Sequence, residues 1–267
     1  MKYYVVDVFT DKVFGGNPAG VCLLDEWLPD EVLQSIGMEN NLSETAFLVK
    51  RNGYYDLRWF TPEIEVDLCG HATMGSAYVL FEFVETAESI LDFHTMSGVL
   101  TVEKKGDMLW MNLPSRPPAP VSRYKTLENS FGTTDFEMLK SEDLLAVFKS
   151  VDEILCIRPD FEEMKKVKAE AGMDGDNFVV IITAPGSDCD FVSRVFAPNC
   201  GVDEDPVTGR AHCLLTPYWG KRLGKSSMTA RQLSKRGGQL WCEDAGERVK
   251  IGGRVQLYLQ GEINVLH

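Results

Sequence analysis

One short pattern occurs twice in this 267-residue chain, once in each half. Residues 60–73 read FTPEIEVDLCGHAT, and residues 196–212 read FAPNCGVDEDPVTGRAH. Both place Phe-x-Pro (Phe60 and Pro62; Phe196 and Pro198) before acidic residues and then Gly-x-Ala (Gly70 and Ala72; Gly209 and Ala211), which opens an apolar run. A repeat at half the chain length predicts two related domains facing each other. The ending GGQLWCEDAGERVKI answers SGVLTVEKKGDMLWM of the first half, which extends the duplication. At this length each half can hold its own core.

The rest of the pattern fills in the two halves. A β-rich run at 3–9 ends in the turn signal GGNP, and a short strand follows over Gly20 to Leu24. Asp30 is placed to cap a helix carrying Val32, Leu33 and Ile36, which gives way near Asn40 and Asn41. Strands follow at Ala46 to Lys50 and Tyr54 to Phe60, putting Glu44 at a helix-to-strand junction. The run 71–84 is apolar on nearly every side, the mark of a buried helix. Strands are expected at 90–94, 98–104 and 108–113, and the prolines at 114, 117, 118 and 120 make the best linker. We therefore divide the chain at 1–117 and 118–267, with the last strand free to pair back to the first half.

In the second half, Ser141 precedes an expected helix with Leu144, Leu145, Val147 and Phe148. Asp160 and Glu163 stand at capping-box spacing, Gly172 is a helix stop, and Asn177 to Thr183 reads as a buried strand. A central helix near 210–223 should be bent by Pro217, and strands near 227–233, 239–243, 248–251 and 254–260 close the chain. Many strands and one buried helix per half predict an α+β fold, each sheet wrapped around its helix.

A formal net charge of −13 disfavours nucleic acid and anionic membrane surfaces as partners. No apolar run reaches membrane-spanning length, and seven cysteines without a Cys-x-x-Cys fit reduced thiols in the cytoplasm. Signatures of nicotinamide, ATP, serine-hydrolase and zinc-peptidase chemistry are missing from the sequence.

The candidate chemistry gathers at the two glycine segments. A helix start presents N–H groups without internal partners, and a carboxylate there gains charge-assisted bonds of about 1.5–3 kcal/mol each. Gly70 and Gly209 would let an acid approach the backbone; the competing reading is close helix packing. Glu44, in NNLSETAF, is either a turn carboxylate bonded to backbone N–H groups or a general acid/base in a closed cleft. Asp205, in GVDEDPVTG, is either a ligand-orienting group or part of a solvated acidic turn. A metal held by Asp203, Glu204 and Asp205 is disfavoured, because consecutive carboxylates converge poorly. His71 suits a neutral, hydrogen-bonding imidazole at the positive end of a helix, or a buried structural bond. Cys69 is a thiol at a helix start, reactive or simply packed; Cys213 reads as packing.

With GGNPAGV, NNLSETAF, DLCGHAT and DEDPVTGRAHC in order, the chain resembles the phenazine-biosynthesis PhzF-like family over essentially its whole length. The resemblance implies a diaminopimelate-epimerase-like fold with its active site between two halves. It also implies cofactor-independent isomerisation of a small amino- or hydroxy-substituted acid, and a homodimer. It assigns the proton-moving carboxylate to Glu44, other site positions to His71 and Asp205, and substrate binding to the backbone of Gly70 and Gly209 and to Asn17. Where the family usually has Ser after the glycine of DPVTG, this chain has Arg210, a cation able to hold a carboxylate through two parallel bonds. A smaller or more acidic substrate than the phenazine precursor is then expected. The alternatives are a two-base racemase or epimerase using Cys69, and a ligand-binding protein without catalysis.

Overall fold

The computed structural model describes residues 1–173 and 178–265. These divide between two compact units, Met1–Asn112 with Lys250–His267, and Leu113–Val249. Each mixes strands with few helices, as expected of an α+β chain.

In the first unit, Lys2–Val8 lies antiparallel to both Asn17–Leu24 and the late strand Val255–Glu262. The turn joining the first two needs glycine at Gly16: its φ is +60°, and a Cβ there would fall 2.1 Å from the Val8 carbonyl oxygen. Asp7 holds this turn by accepting the Phe14 N–H at 2.7 Å, and the turn delivers Asn17 to the head of its strand. Asn17–Leu24 runs parallel to Glu44–Lys50, so a crossover is required, and the helix Asp30–Asn40 supplies it. Asp30 does not cap this helix. Pro29 occupies the cap position, and Asp30 begins the first turn, where its charge favours the positive end of the dipole. Leu33 and Ile36 pack with Phe47 and Phe60 in one apolar cluster.

Tyr55–Phe60 pairs antiparallel with Glu44–Lys50, the short strand Glu65–Val66 follows, and the helix Gly70–Phe83 comes next. Ten of its residues are buried, so it behaves as the core of its unit. Gly75 explains the close approach: a Cβ there would lie 2.8 Å from Val6 Cγ2 on the first strand. Inside the helix, the Thr73 and Ser76 hydroxyls donate to the carbonyls of Cys69 and Ala72 at 2.6 and 2.7 Å. Buried hydroxyls thereby keep partners on an apolar helix.

The second unit repeats this order of elements. Glu137–Lys140 is antiparallel to Leu144–Val147, which runs parallel to Val180–Pro185 after a helical crossover. Phe191–Ala197 and the short strand Val202–Asp205 follow, then the helix His212–Leu223 and a strand Ser227–Gln232 parallel to Phe191–Ala197. The Pro-rich stretch is partly paired, since Ala119–Pro120 lies beside Leu139 and Lys140.

One expectation needs correction here. The segment after Ser141 is a strand, Leu144–Val147, every residue of it buried. A short apolar run does not reveal its own period, and burial on both faces decided it. Among the described residues the crossover holds three short helices, Val151–Cys156, Phe161–Lys165 and Val167–Ala171. Asp160 caps the second by accepting the Glu163 N–H at 3.0 Å, and Gly172 closes the third in a left-handed conformation. Of the strand expected from Asn177, that residue lies outside the described ones, and Val180–Pro185 is paired. Pro217 does sit inside the central helix. A proline has no N–H for the carbonyl four residues back, that of Cys213, and the Arg116 N–H takes it at 2.9 Å.

Candidate active site

Three side chains of the first unit converge at the start of its central helix. Glu44 is the first residue of its strand, His71 the second residue of the helix, and Cys69 the helix cap. One ligand-type atom from each lies within 4.8 Å of the other two. The His71 ring stands in the middle. Its Nε2 is 3.3 Å from Glu44 Oε2, and its Nδ1 is 3.5 Å from Cys69 Sγ and 3.4 Å from Asn17 Nδ2. His71 and Cys69 are buried, Asn17 is fully so, and Glu44 is half-buried.

The Asn17 amide nitrogen stands 3.4 Å from Nδ1, an approach that suits Nδ1 as acceptor and a ring proton on Nε2 towards Glu44. Asn17 Oδ1 in turn accepts from the Ser43 hydroxyl at 3.4 Å. The Nε2–Glu44 approach is close enough for electrostatic attraction but is not aligned as a hydrogen bond. A ligand group entering here would find a carboxylate already beside a positioned N–H.

The Cys69 side chain makes no capping hydrogen bond to the leading N–H groups of this helix. Gly70 sharpens the point. A Cβ at this glycine would meet nothing within 4 Å, and its φ is not positive. Neither packing nor backbone strain requires glycine there, so open space beside the helix start is what the residue provides. A separate groove of this unit, lined by Leu23, Leu24, Leu48, Lys50, Leu80 and Val84, contains none of these residues.

The second unit carries its own cluster at the corresponding helix. Asp205 accepts from the Thr208 hydroxyl, and its backbone carbonyl accepts from Gln232 Nε2 at 2.7 Å. Gln232 also accepts the Thr208 N–H at 2.9 Å, so one buried amide pins both ends of the DPVTG loop. Gln232 was not anticipated, although Met228, Ala230 and Gln232 alternate on the buried face of their strand. Glu204 is held by Arg194 through two bonds of 2.8 and 3.0 Å. The acidic turn thus does not converge on a common point.

Arg210 follows Gly209 and turns to Asp143, donating from Nη2 to Oδ1 at 2.8 Å. Asp143 is fully buried and also accepts the Val179 N–H at 3.0 Å. Burial pushes its carboxyl above the usual range, and the Arg210 guanidinium opposes that shift. Asp143 too escaped the sequence reading, since an acidic residue beside Leu144 gives no local sign of burial. His212 is fully buried, its Nδ1 bonded to the Thr208 carbonyl at 2.9 Å; loss of water lowers its pKa to about 4, so it is neutral. Cys213 is buried within the helix, and burial raises its thiol to about 11, which fits packing and not reactivity.

Comparison with known proteins agrees with these motifs. The sequence profile of the family described as phenazine biosynthesis-like protein matches residues 6–261. An uncharacterized isomerase of Pseudomonas aeruginosa is 47% identical over 265 residues, covering 99% of both chains. The crystal structure of a PhzF-family phenazine biosynthesis protein from Enterococcus faecalis is 46% identical, with a TM-score of 0.93 and 99% of each chain covered. A hydroxyproline epimerase from Agrobacterium vitis shares the fold alone, at 12% identity and a TM-score of 0.59 over 98% of this chain and 91% of that one. Among the described residues no helix is long and apolar enough to cross a membrane. By profile, identity and fold together, the chain belongs to the PhzF-like phenazine biosynthesis-like family.

Proposed function

We propose that this chain is a cofactor-independent isomerase that moves a proton on a small amino- or hydroxy-carboxylic acid. Glu44 is its general acid/base, and the Nε2–H of His71 orients the carboxylate and stabilises charge as it develops. The substrate carboxylate lies against the amide of Gly70. Asp205 and Gly209 keep the substrate-binding parts that the family resemblance gives them, and Arg210 tunes acid preference through its place beside Gly209. Homodimer assembly and a cytoplasmic location belong to the same reading.

The observation that carries it is the Glu44 carboxylate standing 3.3 Å from a buried imidazole at the start of the central helix. That arrangement also bears on the racemase alternative. Two bases working on opposite faces of one carbon each need about 3–3.5 Å of reach, hence roughly 6–7 Å between them. The donor atoms of Glu44 and Cys69 lie within 4.8 Å, which suits one face and not two.

The test is proton exchange. Candidate amino and hydroxy acids are incubated with the protein in D2O and followed by NMR. The wild type should introduce deuterium at a carbon of its substrate, and Glu44→Gln should slow this by about 10²–10⁴-fold. Exchange lost in Cys69→Ser and kept in Glu44→Gln would instead establish the thiol as the base.

A further inference from the structure

We infer that Glu44, Cys69 and His71 form a binding site for a soft divalent cation, with Zn²⁺ as the fitting ion. A thiolate, an imidazole and a carboxylate are the donor set this ion prefers, whereas Mg²⁺ and Ca²⁺ select oxygen alone. The three donors come from two chain segments that the fold brings within 4.8 Å of one another. Tetrahedral zinc with bonds of about 2.0–2.3 Å needs donors about 3.5 Å apart. Two of the three contacts already stand at 3.3 and 3.5 Å, on opposite nitrogens of the ring. One ring nitrogen lies within 4.8 Å of both a Glu44 oxygen and Cys69 Sγ. His71 Nε2 is itself buried and makes no hydrogen bond, and an ion bound there, with the ring proton moved to Nδ1, gives this nitrogen a partner.

Charge agrees with the donor count. One carboxylate and one thiolate neutralise a divalent ion, and binding expels the thiol proton to the buffer. The fourth position is left to water, as in sites with three protein ligands. The remaining ring nitrogen then carries the proton and faces Asn17, whose side chain can offer its oxygen as an outer-shell partner. On the reading of Glu44 as the base, the ion occupies the lone pairs that proton transfer needs. Zinc and turnover therefore exclude each other, and the site is an inhibitory one.

The experiment is zinc titration of the full chain by calorimetry, in a Cys156→Ser, Cys200→Ser background that removes the two exposed thiols. One ion per chain is expected, with affinity falling at least about a hundredfold in Cys69→Ser and in His71→Gln, and about tenfold or more in Glu44→Gln. Cobalt in place of zinc should give a thiolate charge-transfer band that Cys69→Ser abolishes. Each variant is paired with its thermal unfolding curve, and a variant that fails to fold leaves the other two to decide. Absence of micromolar binding, or binding unmoved by all three substitutions, would overturn the site. Zinc binding in a wild type whose Glu44→Gln variant keeps proton exchange would support the site and reject only the role of Glu44.

Discussion

The two central helices start with matched residues that have taken different work. In the first unit the order is Cys69, Gly70, His71, Ala72, Thr73; in the second it is Thr208, Gly209, Arg210, Ala211, His212. The last of each set does the same job, since Thr73 and His212 both bond the carbonyl four residues back. The middle one does not. His71 is flanked by Asn17, Cys69 and a half-buried carboxylate. Arg210 is tied to Asp143, a carboxylate with no exposed surface. The same backbone frame thus carries a carboxylate, imidazole and thiol cluster in one place and a carboxylate–guanidinium ion pair in the other. The difference lies in which strand end supplies the partner and how much water reaches it.

The largest expected effect breaks this comparison at its reactive side. Glu44→Gln should lose about 10²–10⁴ in proton exchange while shifting unfolding free energy by less than about 1 kcal/mol, because a half-buried carboxylate contributes little to packing. Urea denaturation run beside the exchange assay checks both halves of the statement. Asp143→Ala should do the reverse. Removing one member of a buried pair strands the other, at about 3–5 kcal/mol when both are fully buried. Arg210 retains 23% of its side-chain exposure, so we expect a loss nearer about 3 kcal/mol, read from the urea midpoint.

His212 sharpens the comparison through pH. Its folded pKa lies below that of a free histidine, so the fold favours the neutral ring. The stability this gives is present above about pH 6.5 and is lost as pH falls towards about 4. Between pH 7 and pH 5 that amounts to about 2 kcal/mol at 1.36 kcal/mol per unit. His212→Gln should flatten this part of the pH dependence, and equilibrium unfolding at the two pH values measures it. The smallest effects separate two glycines of the first helix. Gly75→Ala must displace Val6 and should cost about 1–3 kcal/mol. Gly70→Ala meets open space and should leave the melting temperature within a few degrees, while weakening acid binding.

Much of this was legible in the sequence, and the exceptions share a cause. The duplicated Phe-x-Pro and Gly-x-Ala frame, the buried run after Gly70 and the cap at Asp160 all depend on residues near one another, and they read correctly. Asn17, Glu44 and His71, far apart in sequence, were named one by one from motifs, and only folding shows that they meet. Asp143 and Gln232 were missed because what marks them is burial beside distant partners: Arg210 for one, the DPVTG loop for the other. The strand Leu144–Val147 was misread as a helix, since four apolar residues carry no period of their own. Asp30 failed as a cap because Pro29 already held that position with an extended backbone.

The central claim is that the proton-moving group belongs to the first helix start and not to the second. It is tested most directly by solvent deuterium uptake into the substrate acid, measured for Glu44→Gln and Asp143→Asn at a temperature where both are folded. The account expects uptake to collapse in Glu44→Gln and to persist in Asp143→Asn. Uptake that survives the loss of Glu44 and vanishes with Asp143 would contradict it.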